Sequence, residues 1–312
     1  MPHCLTLVAS DRPLDPHWVD TVYKTFQAGL PVWLRPNYAV RATLKTPLTA
    51  AQMGDLRGLA APHRVDVFCT ATPTKPYRLM LADMDATMII GETLNDLATR
   101  AGMGPRIAQL TAAAMDGSMD YRAATIERLA LLRGTPRAIL EAVRNTIAYA
   151  AGGATLIATL RAQGVKTILV SGGFTYFVGP VADTLGFDHY YGNTLDLDAT
   201  GGISGNIREP LVHHARKLEI LREQQAEMNL DPSQIMAIGD GANDVPMLMA
   251  AGLGLGYRPK PVVAEKVDNL ILYGDLTALL YAGGYRFDQF VVTPDPLSPT
   301  HDPSTRAQIQ SQ

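Results

Sequence analysis

The chain begins with short segments of alternating apolar and polar residues. Residues 3–9 (HCLTLVA) read as a strand, and 15–28 (DPHWVDTVYKTFQA) carry apolar positions at helical spacing. VWLR (32–35) and YAVRATL (38–44) alternate on either side of a Pro-Asn turn, which predicts a pair of strands. A short helix over 49–59 and an alternating strand over 64–70 (RVDVFCT) complete the block.

The order βαββαβ is the ferredoxin-like pattern. The proline-bearing stretch ATPTKP (71–76) then reads as a linker, and the pattern changes. RLMLADM is an apolar strand, followed by mainly helical segments over about 92–150 with glycine breakers. KTILVSGG (166–173), QIMAIGDG (234–241), GLGLGY (252–257) and NLILYG (269–274) are further strands, separated by helices at 153–163, 174–185, 211–228 and 243–251. Strands apolar on both faces, alternating with helices, predict a Rossmann-like parallel α/β sheet covered on both sides. The helical block interrupts that alternation and reads as an inserted cap. The expected organisation is a ferredoxin-like domain over 1–75 and an α/β domain over 76–290 with its cap at about 92–150. A proline-rich polar tail, 291–312, has too few apolar residues to fold alone and is expected to be disordered.

Composition narrows the class. Of 312 residues, 47% are hydrophobic and 18% charged, enough apolar content for a real core. A formal net charge of -3 gives no electrostatic case for nucleic acid or an anionic membrane. No run approaches the roughly 18 apolar residues that span a bilayer, and the first residues lack a signal-peptide pattern. Two cysteines, Cys4 and Cys69, are too few for a disulfide framework, so a soluble cytoplasmic protein is expected.

Three strand ends carry the chemistry: LADMDAT, ILVSGG and AIGDGAND. In open α/β sheets ligands bind beyond the carboxyl ends of the strands, so these loops converge. Asp83 and Asp85 alternate along an extended segment and share one side, where two carboxylates repel unless a cation or a proton intervenes. An isolated pair of this kind reads equally well as a solvated turn. Asp240 and Asp244 at another strand end add carboxylates with little positive compensation, a set suited to Mg2+. Ser171, Gly172 and the following helix N-terminus can cradle an anion, and Lys217 can add a positive charge. Together these are phosphoryl-transfer equipment, and an aspartate nucleophile forming an aspartyl-phosphate fits the residues.

In this order, D-M-D-A-T, S-G-G, Lys217 and G-D-G-A-N-D resemble the four motifs of the haloacid dehalogenase superfamily of phosphatases. SGGFTYF, LGFD, AIGDGANDVPML and AGLGLGY narrow the resemblance, over roughly 77–275, to its phosphoserine phosphatases. The resemblance implies Mg2+-dependent hydrolysis of O-phospho-L-serine. Asp83 would be the nucleophile and Asp85 the acid and base. Asp83, Asp240 and the Asp85 carbonyl would hold the metal, with Asp244 supporting. Ser171, Gly172 and Lys217 would hold the phosphate, with Asn243 beside it. In the cap, Glu92 would bind the substrate ammonium, and Arg128, in MDGSMDY…RLALL, its carboxylate. Met115 and Tyr121 would line the pocket.

The chain departs from the family pattern at Ala86 and Ala124, where serines are common, which leaves substrate preference open. Phosphoryl transfer to an alcohol such as homoserine, or hydrolysis of another small phosphomonoester, is the alternative expectation. The first 75 residues resemble ACT-like domains, which often bind amino acids or mediate dimers; a homodimer through this unit is compatible with that resemblance. An idle amino-acid sensor is disfavoured by the full set of Asp83, Asp85, Lys217 and Asp240. The adjacent His213 and His214 read as surface residues.

Overall fold

The computed structural model describes residues 2–115, 119–209, 211–212 and 214–296. The amino-terminal unit runs β1 (His3–Ala9), α1 (Pro16–Thr25), β2 (Val32–Arg35), β3 (Ala39–Leu44), α2 (Ala50–Ala60) and β4 (Val65–Ala71). Its four strands form an antiparallel sheet in the order β2-β3-β1-β4. Local chemistry starts both helices. Asp15 caps α1 by accepting from the His17 N–H, with Pro16 at the first helical position, and Thr49 and Gln52 form a reciprocal capping box on α2. Alternation along β1 divides its side chains: Leu5, Leu7 and Ala9 pack beneath the two helices, while Val8 turns to the other face.

The rest of the chain builds a parallel sheet around β5 (Leu79–Ala82). β6 (Ile89–Ile90) leads into a cap of four helices: α3 (Thr93–Arg100), α4 (Gly104–Met115), α5 (Tyr121–Leu132) and α6 (Arg137–Asn145). The chain returns through β7 (Ala148–Tyr149). Then follow α7 (Gly153–Ala162), β8 (Lys166–Phe174), α8 (Thr175–Leu185), β9 (His189–Asn193), α9 (His214–Glu227), β10 (Ile235–Gly239), α10 (Val245–Ala250), β11 (Leu253–Tyr257), α11 (Pro261–Ala264), β12 (Leu270–Ile271) and α12 (Ala278–Ala282). The order β12-β11-β10-β5-β8-β9 is parallel throughout. β6 and β7 pair antiparallel as the two legs of the cap.

Leu79, Met80, Leu81 and Ala82 are all fully buried. Leu79 and Leu81 face one apolar layer, and Met80 and Ala82 the other. That is why the strand carries no polar alternation.

The two units share an apolar interface. Val8, Leu34 and Phe68 from the first sheet join a cluster with Leu279, Leu280 and Tyr281 of α12. At its edge Asp66, 1% exposed, accepts the backbone N–H groups of Leu272 at 2.7 Å, Tyr273 at 3.0 Å and Gly274 at 2.8 Å. Burial raises the carboxyl pKa, and the three amide donors oppose that rise.

The first residues of the stretch expected to be a disordered tail are held to the α/β domain. Thr155 Oγ1 accepts the Thr293 N–H at 3.0 Å, and Thr159 Oγ1 accepts the Val291 N–H at 2.9 Å. Asp295 accepts from the Gly152 and Ala154 N–H groups at the start of α7. Residues 291–295 are therefore an ordered strap, held by hydrogen bonds that need no apolar content. Residues 297–312 lie outside those described.

Candidate active site

β5 ends at Ala82, and the Asp83 N–H still bonds the Ile238 carbonyl of β10 at 3.0 Å. The nucleophile candidate is thereby fixed to the sheet by its backbone. The chain then makes one tight turn, with Ala86 in the left-handed region at φ 54° and its N–H on the Gly91 carbonyl. A side chain other than glycine rarely adopts that conformation.

The second loop leaves β8 and the third leaves β10, both neighbours of β5. Ser171 Oγ donates to Asp85 Oδ2 at 3.3 Å and accepts the Gly173 N–H at 2.8 Å. A Cβ on Gly173 would lie 3.0 Å from that hydroxyl and 3.2 Å from Asp85 Oδ2, so this crowded approach favours glycine. In the third loop Asp244, fully buried, turns back and accepts the Asp240 and Gly241 N–H groups at 3.2 and 3.0 Å. A Cβ on Gly239 would fall 2.5 Å from its carboxyl carbon.

Lys217, 1% exposed, reaches the same point from α9. Its Nζ donates to Asp83 Oδ1 at 2.6 Å and to Asp244 Oδ1 at 2.7 Å. Burial works against the ammonium, yet Asp244 and Asp83 together raise its pKa above the usual lysine range. Asp83 is pushed well up, by burial first and then by the like charge of Asp244, against the pull of Lys217. Asp240 is also raised by burial, opposed by Lys260.

Oxygens of Asp83, Asp240 and Asp244 lie within 4.8 Å of one another, and all three residues are buried. Three buried carboxylates with lysine ammoniums at their margins make a hard-oxygen donor set for a divalent cation.

Asp85 differs from its neighbour. Its Oδ1 accepts the Thr93 N–H at 2.7 Å, Oδ2 meets Ser171, and enclosure raises its pKa to about 6. A carboxyl poised there can give up and regain a proton near neutral pH.

Glu92 precedes α3 and faces this group, because one ammonium spans both. Lys260 Nζ lies 3.3 Å from Glu92 Oε1 and 3.0 Å from Asp240 Oδ2. Gly172 and Asn243 are exposed at the rim. Arg128 is half-buried on α5, its Nε donating to the Ala124 carbonyl at 3.2 Å and a terminal nitrogen to Thr125 Oγ1 at 3.0 Å. Met115 ends α4 and Tyr121 opens α5; their side chains, like those of His213 and His214, lie outside the described ones.

Sequence reasoning passed over Lys260 and Asn193. Asn193, 2% exposed at the end of β9, donates to the Gly172 carbonyl at 2.7 Å and accepts the Val212 N–H at 2.7 Å. It thus ties the phosphate-loop candidate to the segment entering α9. Lys260 follows β11 in an Arg-Pro-Lys-Pro stretch, and the strand-end rule that found the aspartates could have found it.

A family model described as haloacid dehalogenase-like hydrolase matches residues 80–249. A phosphoserine phosphatase of Lactococcus lactis is 39% identical over 202 residues, 65% of this chain and 93% of that protein. One from Archaeoglobus fulgidus is 34% identical over 209 residues, 67% of this chain. The chain spans 60% of the length of that archaeal relative. Among solved structures, a HAD family hydrolase from Salmonella enterica serovar Typhi superposes with a TM-score of 0.80 at 29% identity, over 90% of this chain and 98% of that one.

Proposed function

The chain belongs to the haloacid dehalogenase-like hydrolases, and we propose on that premise that it is a phosphoserine phosphatase. In this reading it hydrolyses O-phospho-L-serine to L-serine and phosphate through an aspartyl-phosphate. The observation that carries the reading is the set of Asp83, Lys217 and Asp240 with Asp85 beside them and Glu92 at the mouth.

An Asp83 oxygen attacks phosphorus, and the bond from phosphorus to the serine oxygen breaks. Asp85 gives its proton to that departing oxygen. A water then attacks the phosphorus, Asp85 takes the water's proton, and the bond to Asp83 breaks to free phosphate. Lys217 holds Asp83 in place and offers its charge to the phosphoryl oxygens, alongside the Ser171 hydroxyl and the Gly172 backbone. Asp83, Asp240 and the Asp85 carbonyl would hold Mg2+, which supplies charge neutralisation among the carboxylates and the phosphoryl group. Asp244 keeps the third loop folded and Lys217 aimed.

For the leaving group, Glu92 is the anion for an ammonium and Arg128 the cation for a carboxylate; the lining roles of Met115 and Tyr121 and the phosphate-side role of Asn243 rest on the family resemblance. Lys260 supports the first assignment: an ammonium fits between Glu92 and the metal-site carboxylates. We read the protein as cytoplasmic, in keeping with two free cysteines. No helix among the described residues is long and apolar enough to cross a membrane. A homodimer through the amino-terminal domain is part of the same proposal; Leu30, 90% exposed in the loop before the outer strand β2, and Val32, 55% exposed at its start, offer an apolar edge.

The test is phosphate release from phosphoserine, phosphothreonine, phosphohomoserine and an aryl phosphate, with and without Mg2+. Preference for phosphoserine that vanishes with EDTA is the expected result. Equal rates on every ester would overturn the substrate assignment.

A further inference from the structure

Five carboxyl groups, those of Asp83, Asp85, Glu92, Asp240 and Asp244, face this site with two ammonium groups, those of Lys217 and Lys260. The two lysines are placed differently. Lys217 is 1% exposed and locked between two aspartates, whereas the Lys260 side chain is 43% exposed. Lys260 bridges the carboxylate assigned to the metal and the one assigned to the substrate ammonium, Asp240 Oδ2 at 3.0 Å and Glu92 Oε1 at 3.3 Å. Its backbone is fixed independently of its side chain, because the Lys260 N–H bonds the Asp240 carbonyl at 2.9 Å.

We propose that Lys260 is a tethered stand-in cation, which holds Asp240 and Glu92 until Mg2+ and the substrate ammonium arrive and displace it. The Glu92 half of this inference rests on the phosphoserine reading; the Asp240 half does not.

The chemistry follows from competition for one anion. A lysine ammonium is a point charge on a flexible stem with solvent beside it, so it can swing out at modest cost. While it sits on Asp240 and Glu92 it offsets the repulsion among the carboxylates. An incoming cation must then outcompete it, and apparent affinity falls by the fraction of sites it occupies. The arrangement exchanges some affinity for a stable empty site, and it makes release of the ammonium-bearing product easier. A half-exposed ion pair is weak, so the effect is modest, about two- to tenfold.

The experiment compares wild type with Lys260→Met and Lys260→Gln, which retain the backbone bond to Asp240. Calorimetric titration of the metal-free protein with Mg2+ alone is expected to show about two- to tenfold tighter binding in both variants. Thermal unfolding should place them below wild type in EDTA, with the gap closing in saturating Mg2+. At saturating Mg2+, KM for phosphoserine should fall while KM for an aryl phosphate, which lacks the ammonium, stays put. Weaker or unchanged Mg2+ binding, or an equal Tm deficit with and without the metal, overturns the proposal. Should Lys260→Met not fold, Lys260→Gln, polar at a half-exposed position, gives the same readings. The Mg2+ titration uses no phosphoserine, so its failure is distinguishable from an error in the substrate assignment.

Discussion

The Asp85 carboxylate accepts the Thr93 N–H at 2.7 Å, which ties the acid-base candidate of the core directly to the first turn of the cap. Cap position and proton position are thus coupled. Thr93 follows Glu92, so the same turn that offers the ammonium site steadies the group that would protonate the departing serine.

Replacing Asp85 separates the two half-reactions. Asp85→Asn keeps an acceptor for Thr93 but has no proton to exchange. Turnover of phosphoserine, whose serine alkoxide is a poor leaving group, should fall about a hundred- to ten-thousandfold. An aryl phosphate needs no such acid, so rapid-quench kinetics should still show a burst of phenolate followed by slow hydrolysis of the phosphoenzyme. Absence of any burst would remove Asp85 from the acid-base role.

Asp83→Asn should abolish phosphoenzyme formation and reduce phosphate release at least about a thousandfold. Circular dichroism with and without Mg2+ keeps the result interpretable, since Lys217 then keeps its ion pair with Asp244 but loses the Asp83 charge. Retained turnover in a folded variant would refute the covalent route.

Arg128→Ala and Glu92→Gln each delete one end of the proposed recognition of a zwitterion. A charge-assisted hydrogen bond is worth about 1.5–3 kcal/mol, so KM for phosphoserine should rise about ten- to a hundredfold. KM for the aryl phosphate should change little. Equal losses on both substrates would assign these residues to structure instead.

Acidity should act through the metal site. Asp85, Asp83 and Asp240 are all raised above the ordinary carboxyl value of 3.8, Asp85 to about 6. A raised native pKa contributes stability that is fully present below the unfolded value and is lost as pH climbs through the native one. The metal-free protein should therefore lose stability from about pH 4 to beyond pH 6 on account of these groups. A divalent cation binds ionised carboxylates, so if Mg2+ occupies this site the gain in Tm on adding it should be about 5 °C larger at pH 7 than at pH 5. A metal-induced gain independent of pH would contradict this.

Asp66 tests the union of the two domains. Asp66→Ala leaves the N–H groups of Leu272, Tyr273 and Gly274 without their acceptor, and the loss is largest at the buried Gly274 donor, where an unsatisfied group costs about 1–3 kcal/mol. Calorimetry should show a lower transition temperature and separation into two transitions. A single transition at the wild-type temperature would mean that the apolar contact with α12 suffices.

Which parts were legible in the sequence follows from how local their signals are. β5, β8 and β10 declared themselves because strands covered on both faces carry unbroken apolar runs, and the aspartates stood out where those runs stop. The βαββαβ order was readable from alternation, helical spacing and a Pro-Asn turn, which operate within a few residues. Lys260 and Glu92 lie 168 positions apart, and Asp66 and Leu272 lie 206 apart. No periodicity links such pairs; only the completed fold brings them together. Asn193 was equally silent, since an asparagine at a strand end also suits an ordinary turn. The strap at 291–295 escaped for the opposite reason: composition measures apolar content, whereas the strap is held by amides, two threonines and Asp295.

That strap also bears on how the chain can be cut and joined. The cap lies between β6 and β7, and the returning leg is fastened by the Ala150 N–H on the Met88 carbonyl, the Leu276 N–H on the Ala151 carbonyl, and Asp295 on the Gly152 N–H. A module boundary drawn at 290 severs the third fastening, although it falls more than a hundred residues from the cap in sequence. Any chimera that exchanges this cap must carry 291–295 with the recipient core. A truncation from the carboxyl end that removes Asp295 takes this fastening of the cap leg with it.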